Sequence, residues 1–249
     1  MDRRTFLSGV GAAGGAALAG CSNPLASPTR VESRRGITFG ADIVGDDARS
    51  KEAWEPFEAS MHDRYGSLGV YGDAGPDPEH GLEFGGGWTQ PLDHEGGLES
   101  HHALVFHRFP GGEDGTAGGA LWLWSAVDPT AADGATVERI EAAVDLPSNG
   151  ASMGIYDPAQ DYRSEDTDAY GVATPRMDVD GLSVSMALPA GRVGYDPEGT
   201  TVGEGGGYAP LWQGSHEGMV GLVATCMLAW PAEDGQTLQW SVAVETLGA

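Results

Sequence analysis

Leu182-Ser183-Val184-Ser185-Met186-Ala187-Leu188 and Leu238-Gln239-Trp240-Ser241-Val242-Ala243-Val244 place a large apolar side chain at every second position. A period of two puts those side chains on one face of an extended strand, whereas a helix would scatter them around its axis. Working outward, residues 37–44 alternate in the same way, and residues 104–109, 121–127 and 219–230 are continuous apolar runs suited to central, buried strands. Asp114-Gly115, Asp180-Gly181 and Asp234-Gly235 are hairpin-type dipeptides, and 40 glycines supply further tight connections. Residues 136–146 fit a strand with Ile140, Ala142, Val144 and Leu146 on one face or a short helix stopped by Pro147, and the strand is the favoured reading. One short helix is expected, with Pro56 at its first position and Phe57, Met61 and Tyr65 on one side before Gly66. Residues 72–100 and 157–168 read as long loops. With no internal repeat and no alternation of strands with long helices, the expectation is an all-β fold, an antiparallel β-sandwich with long Gly-rich loops.

The first twenty residues carry a charged start at Arg3 and Arg4, an uncharged apolar stretch from residue 5 to 19, and small residues before Cys21. That stretch is too short, and too diluted by Gly9, Gly11, Gly14 and Gly15, for a membrane span of ~20 apolar residues. Asp2-Arg3-Arg4-Thr5-Phe6-Leu7 resembles the twin-arginine export consensus, and Leu18-Ala19-Gly20-Cys21 resembles a lipobox. These resemblances imply export of a folded chain by the Tat machinery and lipidation of Cys21. The expected organisation is a signal over residues 1–20, a lipidated Pro- and Ser-rich tether over 21–36, and one β-sandwich domain over 37–249, exposed on the outer face of the cytoplasmic membrane. The spacing Gly9-x-Gly11-x-x-Gly14 also matches a dinucleotide fingerprint, but it lies inside the signal, and Pro24 and Pro28 follow where a crossover helix belongs.

Aspartate and glutamate number 37 against 13 lysines and arginines, for a net charge of -24, and Lys51 is the single lysine. Removing residues 1–20 leaves the chain one unit more negative. Such a surface repels phosphate backbones and excludes a nucleic-acid partner. Self-repulsion of this size is screened in molar salt, where the Debye length falls to ~3 Å. Acidity, near-absence of lysine and the Tat-lipobox pairing together resemble haloarchaeal surface lipoproteins.

No stretch of the mature chain names a reaction. Gly150-Ala151-Ser152-Met153-Gly154 matches a nucleophile elbow, and His216 lies downstream with Asp157, Asp178 or Asp196 between. An elbow must join a strand to a helix, yet Ile155-Tyr156-Asp157-Pro158 reads as a turn. Among the 7 histidines, His94, His101, His102 and His107 cluster in sequence, but His101 and His107 on one strand face lie ~20 Å apart, too far to share an ion. Resemblance to small blue-copper lipoproteins fails at the ligands, because no histidine follows Cys226. Residues 166–171 imitate the start of a calcium loop, but Tyr170 and Met177 occupy ligand positions. No metal and no cofactor is expected, and Cys226 reads as a small buried hydrophobe.

Trp88 after three glycines, and Tyr208 and Trp212 around Pro210, are candidate ligand-stacking aromatics, with plugging of the sandwich ends as the plainer role. Trp122 and Trp124 read as core. The leading functional expectation is a non-catalytic, lipid-anchored surface domain that binds a ligand or envelope partner. The alternative is an anchored serine hydrolase using Ser152 and His216.

Overall fold

The computed structural model describes residues 27–40, 47–72, 82–109, 115–147, 150–163, 169–176, 179–187, 190–233 and 235–248. Arg3, Arg4 and Cys21 lie outside them. The chain folds as two antiparallel sheets packed face to face, an all-β sandwich. Its strands are β1 Thr29–Phe39, β2 Glu83–Asp93, β3 Glu99–Arg108, β4 Thr116–Val127, β5 Thr136–Asp145, β6 Ser152–Asp157, β7 Tyr162–Arg163, β8 Ala169–Arg176, β9 Val179–Ala187, β10 Gly191–Tyr195, β11 Gly203–Glu204, β12 Gly207–Tyr208, β13 Pro210–His216, β14 Val220–Pro231 and β15 Gln236–Leu247. The first sheet runs β1-β15-β5-β13-β10-β7, with β12 also on β5, and the second runs β11-β6-β14-β4-β3-β2. β8 and β9 pair separately, and β8 lies against β14 and β6.

The apolar runs become the longest central strands: β14 pairs with β4 from Val220↔Val127 to Pro231↔Thr116. Alternation along β15 buries Leu238, Trp240, Val242 and Val244 between the sheets and turns Gln239, Ser241 and Glu245 outward. Phe39 of the first sheet meets Phe106 at 4.9 Å and Trp230 at 5.3 Å in the second. That aromatic contact joins the two layers where their apolar faces meet.

Several local expectations shift. The strand expected from residue 37 begins at Thr29, so residues 29–36 of the expected tether form most of an edge strand whose outward Arg30, Glu32 and Arg34 carry charge. Charge on an edge strand blocks further strand pairing. Residues 83–93, expected as loop, form β2. Its glycines admit aromatic neighbours: a Cβ on Gly85 would lie 2.6 Å from the Phe106 ring and one on Gly87 would overlap Trp54. Asp180 and Gly181 lie inside β9 and not at a turn. The single α-helix among the described residues, α1 (Lys51–Tyr65), starts earlier than expected because the Ser50 side chain accepts a hydrogen bond from the Ala53 amide, and Pro56 falls inside it. Its buried residues are Trp54, Met61 and Tyr65, while Phe57 is only half-buried. With the following residues through Tyr71, α1 covers the outer face of β2, β3 and β4, and Trp124 donates its indole N–H to the Leu68 carbonyl at 2.8 Å.

Candidate functional site

Ser152 opens β6, a strand, so no helix follows it and no helix-terminal amides stand ready for an oxyanion. Its hydroxyl donates to the Ala229 carbonyl at 3.4 Å. His216 ends β13 in the other sheet, four residues before β14 begins, whereas Ser152 pairs with Ala229 near the far end of β14. Nine residues of strand separate Val220 from Ala229, about 30 Å at ~3.4 Å per residue. The structure does not bring Ser152 and His216 together. Of the candidate orienting residues, Asp157 pairs with Thr225 on β14 and Asp178 lies outside the described residues.

Trp88, Tyr208 and Trp212 are buried and present no stacking face to solvent. Trp88 donates to Asp47 at 3.2 Å, and the Tyr208 hydroxyl donates to the Pro158 carbonyl at 3.2 Å. These rings close the sandwich, because the glycines expected to make loops around them lie in or beside strands.

The clustered histidines are built into the second sheet in two groups. On the inward face, His94 Nε2 lies 2.8 Å from Ser100 Oγ, Ser100 Oγ 2.9 Å from His102 Nε2, and His102 Nδ1 2.8 Å from Ser125 Oγ. Gln90, opposite His102, is also buried, and neither end of its amide has a partner among the described residues. Burial, with His94 and His101 nearby, pushes His102 down to about 3. On the outward face, His101 Nδ1 lies 2.8 Å from the Tyr65 hydroxyl and His107 Nε2 3.3 Å from that of Tyr71. Burial lowers both histidines, His107 to about 4, and raises the Tyr65 phenol to about 12, so that hydroxyl stays protonated and donates. Among the described residues no three His, Cys, Asp or Glu side chains converge as metal ligands. Asp166, Asp168 and Met177 of the calcium-like stretch lie outside them. Cys226 is buried, and burial pushes its thiol up, which leaves it unreactive.

A concavity of about 450 Å³ lies on the outer face of the first sheet. Small side chains make its floor: Ala143 from β5, and Ser241 and Ala243 from β15. One wall is a charge knot in which Arg30 donates to Glu32, Glu141 and Glu245, each from a different strand position. Arg139 also binds Glu141. These contacts use up the Arg30 guanidinium. The other wall holds a looser pair, Arg34 to Asp145 at 3.6 Å, with both side chains more than half exposed. Asp196 and Gly199 close the third side, and Asp196 Oδ1 accepts from the Glu198 amide. Of the ionisable lining groups, Glu32, Glu141, Asp145 and Asp196 are acidic and only Arg30 and Arg34 are basic. Sequence reading missed this site because its residues come from β1, β5, β15 and a loop, and only strand register brings them together.

No protein family and no curated protein matches this chain. Among solved structures it is similar to the delta-toxin of Clostridium perfringens, at a TM-score of 0.37 and 8% identity over 61% of this chain and 76% of that one. It is also similar to the Clostridium perfringens NetB toxin in its membrane-inserted form, at a TM-score of 0.31 and 7% identity over 66% of this chain and 92% of that one. A likeness of that order assigns no activity.

Proposed function

We propose that the protein is a non-catalytic, lipid-anchored binding module of the cell surface, exported by the Tat machinery and tethered through Cys21, which captures a small organic cation or zwitterion in the concavity over β1, β15 and β5. The observation that supports this reading is the concavity itself: walled on three sides, open to solvent, and with an excess of two carboxylates over guanidinium groups. Its volume lies within the range of small-molecule pockets. Asp145 and Asp196 offer acceptors to an ammonium group, Arg34 offers a donor fork to a carboxylate, and Ser33 and Ser241 offer hydroxyls to a polar backbone. Contact pairs of this kind persist in molar salt better than long-range attraction, which screening removes beyond ~3 Å.

The anchor would hold the site close to the lipid. Seven residues lie between Cys21 and Thr29, where β1 starts, and the eight steps reach at most about 29 Å. Ser152 and His216 give the hydrolase alternative no support, since one opens a strand and the other lies in the opposite sheet.

The test is a titration of isotope-labelled protein in molar potassium chloride with lysine, 1,4-diaminobutane and, as a neutral control, glucose. Saturable amide shifts at Ala143, Ser241 and Ala243 with either amine and not with glucose are expected. Shifts confined to other faces, or none with either amine, would remove the site.

A further inference from the structure

The segment from α1 through Tyr71 is fastened to the second sheet by groups that function only when neutral. Tyr65 and Tyr71 reach down from it, and each hydroxyl ends on one ring nitrogen of a histidine on β3, His101 and His107. Both hydroxyls lie among aromatic rings: Tyr65 packs on Trp124 at 5.7 Å and Tyr71 on Trp122 at 5.4 Å. A neutral imidazole has one acceptor nitrogen, and protonation converts it to a second donor. The histidine would then face a hydroxyl that no longer has an acceptor in reach, and would carry a charge into an apolar seam.

Carboxylates near the seam offset that cost only in part, since burial still lowers both histidines. His107 meets the Tyr71 ring at a tilt and Phe84 of β2 edge-on, with Arg108 next along the chain, and the charge of Glu58 in α1 acts on Tyr71. Its other nitrogen, Nδ1, is buried without a partner among the described residues. His101 meets Arg64 and Tyr65 from α1, Glu99 from its own strand and Asp93 from β2, and Arg64 holds Glu99 in an ion pair at 3.0 Å. His102 and His94 lie on the inward face of the same strands, so a positive His101 also adds to their repulsion.

The segment is held by a short list of buried side chains, Trp54, Met61 and Tyr65 from α1 and Leu68, Val70 and Tyr71 after it. Pro56 removes one backbone hydrogen bond from the middle of a four-turn helix. Only Trp54, Met61 and Tyr65 of α1 are buried, and a helix this short draws most of its stability from packing. The sandwich beneath is different, since β14, β15 and β5 are long central strands paired on both sides.

We propose that the Tyr65–His101 and Tyr71–His107 seam is an acid-sensitive latch: protonation of the two histidines releases the segment from α1 through Tyr71 while both sheets stay folded. Release uncovers Trp54, Trp122 and Trp124 and the aromatic outer face of β3 and β4. The device is independent of the concavity, which lies on the other sheet.

Hydrogen exchange of the full chain in molar potassium chloride, corrected for the intrinsic effect of pH, reads the latch directly. A histidine that moves from about 4 when latched to its ordinary value when released favours opening at pH 4.5 on the order of 100-fold. Amides of residues 51–72 should therefore exchange on the order of 100-fold faster at pH 4.5 than at pH 7.5 and stay less protected than those of β5, β14 and β15, whose own loss follows only the global destabilisation that buried His102 brings. The double variant His101→Asn, His107→Gln retains an acceptor for each hydroxyl without titrating, and should remain closed at pH 4.5. Protection of residues 51–72 equal to that of β5, β14 and β15 at pH 4.5, or opening of the double variant at the same pH as the parent, would overturn the latch. Should the double variant fail to fold at pH 7.5, Tyr71→Phe decides: removal of the hydroxyl should move the opening midpoint to higher pH, and an unchanged midpoint refutes the role of the seam.

Discussion

Gly87→Ala is the sharpest test of how α1 is seated. A Cβ at this position would overlap the six-membered ring of Trp54, with further ring carbons at 2.6 and 3.0 Å. Trp54 has little room to withdraw, since it is buried with Phe57 at 5.0 Å on one side and Phe84 at 6.0 Å on the other. The backbone of Gly87 is fixed as well, because its N–H and C=O exchange hydrogen bonds with Arg49 just ahead of the helix. Overpacking of this kind costs about 1–3 kcal/mol. For a chain of this size each kcal/mol lowers the melting temperature by roughly 2–4 °C, so a fall of about 2–12 °C is expected by calorimetry in molar salt. Gly154→Ala is the matched control: its added Cβ would meet the Met227 carbonyl at an ordinary 3.5 Å, and its melting temperature should stay within about 2 °C of the parent. A Gly87→Ala variant that melts with the control would show that Trp54 does not press on β2 as described.

Three further outcomes are expected. Ser152→Ala should change neither fluorophosphonate labelling nor ester hydrolysis, both of which should be at background in the parent; labelling that vanishes in the variant would revive the hydrolase. His102 is held down at about 3 by burial, so the unfolded chain binds its proton first as pH falls; its stabilising effect is complete above about 6.5 and is lost at about 1.4 kcal/mol per pH unit down to about 3. Urea unfolding at pH 5 should thus show about 2 kcal/mol less stability than at pH 8 from this residue alone, and equal midpoints would contradict its buried neutral state. Cys21→Ser should release the exported protein from the membrane fraction or leave it unprocessed, and unchanged membrane association would count against lipidation there.

The strand architecture was legible wherever one face is apolar or both are. Residues 238–244 signalled their buried face by alternation and residues 182–187 fall in β9, while the runs at 121–127 and from 220 onward signalled burial on both sides, which β4 and most of β14 show. What was misread follows from two physical facts. Glycine marks turns by its backbone freedom, but at Gly85 and Gly87 its lack of a side chain makes room for Phe106 and Trp54, so β2 looked like loop. Charge marks solvent, but on β1 it marks a protected edge, so residues 29–36 looked like tether. The aromatic candidates failed for the first reason, since the glycines beside Trp88 belong to a strand. Ser152 and His216 fitted in order and spacing, and only topology set them in different sheets. The concavity had no sequence signature, because Arg34, Asp145 and Ser241 meet through register alone.

On the function proposed above, the outer face of the first sheet holds a small amine-bearing solute that should travel with the protein. Its most direct test is to purify the intact lipidated protein from native membranes in molar salt, beside an Ala243→Trp variant whose indole fills the floor between the two charged walls, and to identify the small molecules that each carries by mass spectrometry. An amine-bearing solute is expected with the parent at near-equimolar amount, and at least ten times less of it with the variant. The same solutes at the same amounts on both proteins would contradict it.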